Sequence, residues 1–338
     1  MKKHFLRALG LVLTLAAGLG WLTYRHFDFF VPRLASEEGA VVDRLLRVHF
    51  FLIAVIFALV VGFAVYSVWA FRGRADDDEP GLNIHGHGGL EFLWTVIPLG
   101  IVLGLSAVGV QDFLFLRRSD ADLVVQVQAQ QFSWTFFYPE YDISSSELWL
   151  PTGRRVKFEM TSLDVIHSFW VVEFRIKEDT VPGMTTYAYV TPQVEGEYVL
   201  RCAELCGSGH ARMYGTVKVV SPAAFEAWVA EQQAAQRALA GDARARGEQV
   251  FQQYCAVCHT LDGSPSIGPS LQGLLGREVL LEDGRTITAD EAYIRESILD
   301  PQAKIVAGYP PVMPGTFQQA LSAEDLDALV QFLLQLDE

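Results

Sequence analysis

Apolar and polar residues alternate on two different scales along this 338-residue chain. The first third carries three long apolar runs, roughly Phe5 to Tyr24, His49 to Phe71 and Phe92 to Leu116. Each is close to the ~20 residues with which a helix crosses a bilayer. The second and third predict a transmembrane hairpin within residues 31–120, with spans near 49–71 and 92–116. The first run, within residues 1–30, follows Lys2, Lys3 and Arg7, and this order fits a signal peptide or a retained anchor equally. Arg72 and Arg74 open the connection between the hairpin spans, which the positive-inside tendency assigns to the cytoplasm. Everything after Leu116 is then expected on the outer face, although Arg117 and Arg118 pull the other way.

From Ala121 the period shortens to two: Leu123, Val125 and Val127, then Val156, Phe158 and Met160, then Tyr198 and Leu200, then Val217 and Val219. Turn formers at Pro151-Thr152-Gly153, Pro182-Gly183 and Glu195-Gly196 separate these strands. Residues 121–220 are therefore expected to form a small antiparallel sandwich or barrel. An Ala- and Gln-rich stretch, 221–240, predicts a linker helix. Residues 241–338 read as an all-α domain, in which Ser322 and Asp325 resemble a capping box ahead of Leu326, Leu329, Val330, Leu333 and Leu334 on one face.

Composition narrows the class. With 51% hydrophobic residues the chain argues for membrane spans and against one soluble domain. A formal charge of −14 argues against nucleic-acid binding, which needs Lys and Arg to displace counterions from phosphates. Only four cysteines occur, as the pairs Cys202/Cys206 and Cys255/Cys258, too few for a disulfide-stapled fold and well placed for metal or cofactor chemistry.

Cys255-Ala256-Val257-Cys258-His259 is a c-type haem attachment signature, with two thiols for the vinyl groups and an adjacent imidazole for the iron. Met313, in the loop Tyr309-Pro310-Pro311-Val312-Met313-Pro314, is the candidate sixth ligand. A redox dithiol or half of a zinc site is the alternative for the two cysteines. The segment resembles class I cytochromes c over about a hundred residues. Gly247 and Phe251 stand where that family packs its first helix on its last, and Gly268-Pro269 resembles the loop whose proline carbonyl orients the haem histidine. From Ala238 to Glu338 there are 15 acidic and 6 basic residues, a local net of −9.

A second cluster runs from Cys202 through Glu204, Cys206 and His210 to Met213, between two predicted strands. Thiolate, imidazole and thioether together select copper, and two thiolates can bridge a pair of copper ions. Each copper then needs its own imidazole. His210 supplies one, and His167 is the other histidine after Leu116 besides His259. A zinc site or a Cys202–Cys206 disulfide remains the alternative, leaving Met213 unexplained.

Residues from about His49 to Val220 resemble cytochrome c oxidase subunit II. The resemblance implies a cupredoxin-like sandwich with a dinuclear copper A centre, bridged by Cys202 and Cys206 and bound by His167 and His210, with Met213 and the Glu204 carbonyl as weak ligands. It places the Glu204 carboxylate at a magnesium site shared with subunit I. The stretch Gln131 to Tyr138 resembles the family's aromatic electron-entry patch, with Phe132 in place of a leading Trp and with Trp134 behind it. Glu91 matches a glutamate at the mouth of a proton-uptake path in subunit I. His85 and His87 read as loop residues.

These readings converge on the electron-input subunit of a haem-copper terminal oxidase of the bacterial plasma membrane, inactive alone towards oxygen. Its expected partners are subunit I, subunit III, the lipid bilayer and an external donor, either cytochrome c or a quinol-oxidising complex. A nitric oxide reductase subunit, or a membrane-anchored electron carrier or copper-handling protein without an oxidase partner, is the competing reading. Against the last, a mere anchor needs one span, whereas Glu91 and Trp94 lie in a two-span hairpin.

Overall fold

The computed structural model describes residues 2–73, 85–239 and 241–336. Arg74 lies outside them. Two compact units result, Met1–Arg118 and Ser119–Glu338.

The first unit consists of α1 (Lys2–Arg25), the short α2 (Phe27–Phe30), α3 (Glu37–Ala70) and α4 (Gly88–Leu116). The three long helices have the length and apolarity to cross a membrane. Ser36 starts α3 by accepting the Gly39 N–H at 2.9 Å, and Glu37 and Glu38 complement the positive helix end. Pro98 removes a backbone donor inside α4.

Helix α1 runs antiparallel along α3. Tyr66 hydroxyl meets His4 Nδ1 at 3.1 Å, a Cβ on Gly62 would sit 2.9 Å from Val12, and one on Gly20 would sit 2.8 Å from Phe51. Ala54, Ala58, Gly62 and Tyr66, four residues apart, form the buried stripe of α3. Small side chains there let the two backbones approach closely. Arg47 caps the turn between the helices, lying 4.2 Å over the buried Phe27 ring and 2.6 Å from Asp28. Arg44 of α3 pairs with Asp112 of α4 at 2.5 Å.

The second unit opens with a sandwich of β1 (Leu123–Gln130), β2 (Ser133–Tyr138), β3 (Ile143–Ser145), β4 (Leu148–Pro151), β5 (Val156–Ser162), β6 (His167–Val171), β7 (Ile176–Thr180), β8 (Thr186–Val190), β9 (Gly196–Cys202) and β10 (Tyr214–Val220). One sheet has the order β3-β2-β1-β5-β8 and the other β4-β10-β9-β6-β7. The alternation that marks the strands is their burial pattern: Leu123, Val125 and Val127 are at most 1% exposed, and Val156, Phe158 and Met160 are fully buried.

The expectation of an antiparallel unit needs correction. β1 pairs with β5, and β4 with β10, in parallel. The chain changes sheets at β4 and again at β5, so each returns beside a strand of its own direction. A two-residue period reports which face is buried and carries no information about which strand lies alongside.

Residues 221–240 contain α5 (Pro222–Leu239), which is packed on the sandwich rather than spanning a gap. Trp228 stacks on Trp149 at 5.3 Å and meets Tyr138 at 5.1 Å, and Phe225 is fully buried beside it.

The C-terminal part comprises α6 (Ala243–Val250), a π turn over Phe251–Cys255, β11 (Glu278–Leu280), β12 (Thr286–Thr288), α7 (Glu291–Leu299), α8 (Phe317–Ala320) and α9 (Ala323–Leu334). The β11–β12 hairpin is an addition to the all-α expectation. Its three-residue strands are too short to leave a period. As the sequence predicts, α6 crosses α9 at Gly247, where a Cβ would lie within 2.1 Å of the Ala328 carbonyl oxygen, and Phe251 packs on Phe332 at 5.9 Å. Ser322 accepts the Asp325 N–H at 3.1 Å and donates to its carboxylate at 2.7 Å.

Candidate metal and cofactor centres

Two ladders build the first centre. The β6–β9 ladder sets Phe169 opposite Cys202, and the Cys202 N–H donates to the Met213 carbonyl at 3.0 Å where β9 meets the start of β10. Ala203 N–H donates to the Ser168 carbonyl, also at 3.0 Å, beside His167 at the start of β6. The loop between is closed by a 3-10 turn over His210–Arg212. These constraints bring residues 35 apart in sequence into one buried cluster.

His167 Nδ1 lies 3.8 Å from the Cys202 sulfur, which lies 3.8 Å from the Cys206 sulfur. His210 Nδ1 and the Met213 sulfur are 3.6 and 3.7 Å from Cys206. The Glu204 carbonyl accepts from the Cys202 thiol at 3.2 Å, while the Glu204 side chain is exposed. His167, Cys202 and Cys206 offer ligand atoms within 4.8 Å of one another. Both thiols are free. This soft, buried donor set fits copper, and the thioether and carbonyl exceed what a four-ligand zinc site uses.

Asp164 is one residue that sequence reasoning missed. Its Oδ1 pairs with His167 Nε2 at 2.8 Å, so the ring turns Nδ1 towards the thiols. The same carboxylate accepts the N–H groups of Gln131 and Val165, each at 2.7 Å. The available signal was an acid three residues before a candidate ligand. Burial opposes ionisation of Asp164, but the His167 bond and these N–H donors outweigh it and hold the carboxyl below its ordinary range. Burial likewise raises both thiols. For Cys202, hydrogen bonds from His167 and the backbone reverse the direction and bring it down to about 6. For Cys206, the neighbouring Cys202 charge adds to burial and pushes it up to about 12.

The second centre is a cavity of about 460 Å³ whose lining includes Cys255, Cys258, His259, Pro269 and Met313. His259 Nδ1–H donates to the Pro269 carbonyl at 2.7 Å, leaving Nε2 for a ligand. The imidazole lies against Gly268, where a Cβ would come within 2.5 Å of the ring. Burial holds His259 below its ordinary range, which favours the neutral, ligating form, and pushes the Cys255 thiol up to about 12. Gln302, which the sequence did not single out, donates to the Met313 carbonyl at 3.3 Å and the Pro311 carbonyl at 3.4 Å, tethering the proline-rich loop. Thiols, imidazole and thioether facing one apolar cavity fit a covalently attached haem.

Among chains of known function, this one is 30% identical to cytochrome c oxidase subunit 2 of Alkalihalophilus pseudofirmus over 82% of this chain and 82% of the relative. It is 31% identical to the subunit 2 of Thermostichus vulcanus over 67% of this chain and 84% of the relative.

The chain belongs to the cytochrome c oxidase subunit 2 family.

The subunit 2 of Bacillus sp. strain PS3 is also 31% identical, over 78% of this chain and 79% of that one. Three family models match the subunit: the transmembrane domain of cytochrome c oxidase subunit II over 26–111, its periplasmic domain over 142–220, and cytochrome c over 244–337. As subunit II of a haem-copper oxidase, the chain has subunit I as a partner and takes electrons from a donor. Copper A and haem c follow from its two extramembrane families.

The remaining residues singled out by sequence fall in different places. Trp134 is buried, 6.2 Å from the His167 ring and 5.9 Å from Phe169. Phe132 lines the haem cavity. Glu91 is bonded as a helix cap, its Oε1 accepting the His87 N–H at 2.9 Å, and His87 Nδ1 in turn accepts the Leu90 N–H at 3.2 Å. His85 is exposed in the approach to α4.

Proposed function

We propose that this subunit II holds two one-electron centres in series and delivers electrons from an external donor to subunit I, where oxygen is reduced and protons are translocated. Cys202, Cys206, His167, His210, Met213 and the Glu204 carbonyl hold a dinuclear copper A centre. Cys255, Cys258, His259 and Met313 hold haem c. When bound, these groups supply reversible one-electron storage, and the chain's own residues do the rest. The sandwich ladders fix the donor atoms before metal arrives, so little reorganisation accompanies a change of charge. Asp164 and the Pro269 carbonyl each hold an imidazole in one orientation. Trp134, in contact with the His167 ring, lies on the electron path with Phe132.

The observation that carries this reading is the cluster of buried Cys202, Cys206, His167 and Met213 with the half-buried His210, in the same compact unit as a cavity lined by Cys255, Cys258, His259 and Met313.

Three further assignments belong to the same proposal. The exposed Glu204 carboxylate contributes to a magnesium site shared with subunit I, and subunit III completes the complex. The chain resides in the bacterial plasma membrane with both centres on the outer face. Helix α1 is a retained third span, because its close antiparallel fit on α3 places Lys2, Lys3 and Arg7 at the same end as Arg72, as the positive-inside tendency requires. For Glu91, the bond to the His87 N–H supports a capping role, and proton uptake through it rests on the resemblance alone.

The test is metal analysis and spectroscopy of the purified oxidase. One covalent low-spin haem and a mixed-valence two-copper signal are expected. Zinc in the thiol cluster, or a Cys202–Cys206 disulfide when copper is supplied, would overturn the reading.

A further inference from the structure

Between the C-terminal end of α1 and the N-terminal end of α3 lies a cavity of about 1070 Å³, lined also by Arg33 of the connection between them. Each helix contributes one stripe. On α3 it is Arg44, Arg47, Val48 and Phe51, and on α1 it is Ala17, Gly20, Trp21 and Tyr24, both spaced i, i+3, i+4 and i+7. At about 1.5 Å per residue, each stripe runs about 10 Å along its helix. The helices are antiparallel and Gly20 meets Phe51, where a Cβ would sit 2.8 Å from the ring. Four residues outward from that contact stand Tyr24 on one helix and Arg47 on the other. The cavity is therefore cationic at its outer end and apolar below. Trp21, Tyr24 and, on α2, Phe29 and Phe30 are largely exposed around it, as aromatic side chains are at the boundary between headgroups and hydrocarbon.

Three arginines and two aspartates, Asp28 and Asp43, line the cavity, one positive charge in excess. Arg47 spends one Nη2 on Asp28 and Arg44 one on Asp112 of α4, so most of the five N–H donors of each guanidinium remain. Asp43 is buried and already engaged. Arg33 is exposed and, among the described residues, makes no ion pair. Planar forks of donors match the oxygens of a phosphodiester.

We infer that this cavity is a binding site for an anionic phospholipid of the outer leaflet. Its phosphate sits among Arg33, Arg44 and Arg47, and one acyl chain follows Ala17, Trp21, Val48 and Phe51. A zwitterionic lipid would bring its own cation to the arginines, and a free anion has no use for the apolar lower half. Bound there, the lipid fills the gap between α1 and α3 and ties the first helix to the hairpin. This rests on the reading of α1 as a retained span with its C-terminal end outward.

The test uses the assembled oxidase in vesicles that carry a photoreactive acyl analogue of phosphatidylglycerol or of phosphatidylcholine, with labelled peptides mapped by mass. Labelling of residues 17–24 and 44–51 by the phosphatidylglycerol analogue should exceed that by the phosphatidylcholine analogue about fivefold, the effect of about one basic side chain at an anionic surface. Unlabelled phosphatidylglycerol should suppress it, and inorganic phosphate should not. Arg33→Gln, at an exposed side chain with no ion pair to lose, should lower it about fivefold. Ala17→Phe, which fills the lower half and leaves the arginines in place, should lower it as well; if that variant does not assemble, Arg33→Gln decides. Equal labelling by the two analogues, unchanged labelling in Arg33→Gln, or suppression by inorganic phosphate alone would overturn the inference. So would protection of these residues from both reagents, which would put another subunit in the cavity. Absence of residues 8–25 from the mature oxidase would instead defeat the retained-span reading.

Discussion

Asp164→Asn isolates the orienting role of a carboxylate that binds no metal itself. In the native chain Oδ1 accepts from His167, from Val165 N–H at 2.7 Å and from Ser162 Oγ at 3.2 Å, while Oδ2 accepts the Gln131 N–H at 2.7 Å. Asparagine has the same shape but one acceptor oxygen. If that oxygen stays with His167, the new NH₂ faces the Gln131 N–H and leaves it without an acceptor, at a cost of about 1–3 kcal/mol. The bonds that remain lose their ionic reinforcement, which roughly halves them. The opposite amide orientation keeps Gln131 and releases the imidazole. Either way copper affinity should fall about 10–100-fold, the range for an orienting partner outside the ligand set. That corresponds to about 1.4–2.7 kcal/mol. Competition of the copper-loaded oxidase with a chelator measures it, and urea unfolding measures the stability loss alongside. An affinity within about threefold of native would refute the role given to Asp164. A loss beyond about 10⁴-fold would identify it as a direct ligand and refute it equally.

Other outcomes separate the centres and test the packing. Met213→Leu should alter the copper spectrum and leave the haem spectrum unchanged, and Met313→Leu should do the reverse; a change in both spectra from either variant contradicts the assignment of one thioether to each centre. Gly247→Ala places a methyl group 2.1 Å from a backbone oxygen that cannot yield, so α6 must lift from α9. The expected cost is about 1–3 kcal/mol, read as a lower denaturant midpoint for the haem absorption. Copper uptake by the metal-free chain should tighten by at least about tenfold per pH unit between pH 6 and 8. Burial and the neighbouring Cys202 hold the Cys206 thiol well above its ordinary range, so it must release its proton to bind. An affinity independent of pH there would show that Cys206 is not a ligand. Mass mapping of the membrane-embedded peptides should recover residues 8–25 from the mature oxidase; their absence would show that α1 is removed.

The alternation of Leu123, Val125 and Val127 exposed the sandwich because each inward position must be apolar when one face is buried. Pairing was not legible in the same way, since β4 and β10 are more than 60 residues apart and nothing in either strand encodes the neighbour. The donor residues stood out by type: among the residues after Leu116, four cysteines and three histidines leave few combinations. Apart from Pro269, their supports did not. Asp164, Gln131 and Gln302 are ordinary polar residues until the fold aims them at a ligand or its loop. The packing of α5 was hidden for a related reason. Phe225 and Trp228 are two large side chains in an Ala- and Gln-rich run, too few to mark a face, yet they bury themselves against Tyr138 and Trp149.

With haem c and copper A in series as proposed, the donor meets the cytochrome segment first. An oxidase whose copper domain meets its donor directly must build recognition around the copper loop. Here that loop is packed beneath Phe132, and the cytochrome segment carries 15 acidic and 6 basic residues from Ala238 to Glu338. Such an imbalance attracts a basic protein and speeds its encounter, an effect that salt weakens. The donor's arrival rate should therefore fall with ionic strength, whereas transfer between the two centres, across contacts made within one chain, should not. That contrast separates the encounter with the donor from the transfer that follows it within the chain.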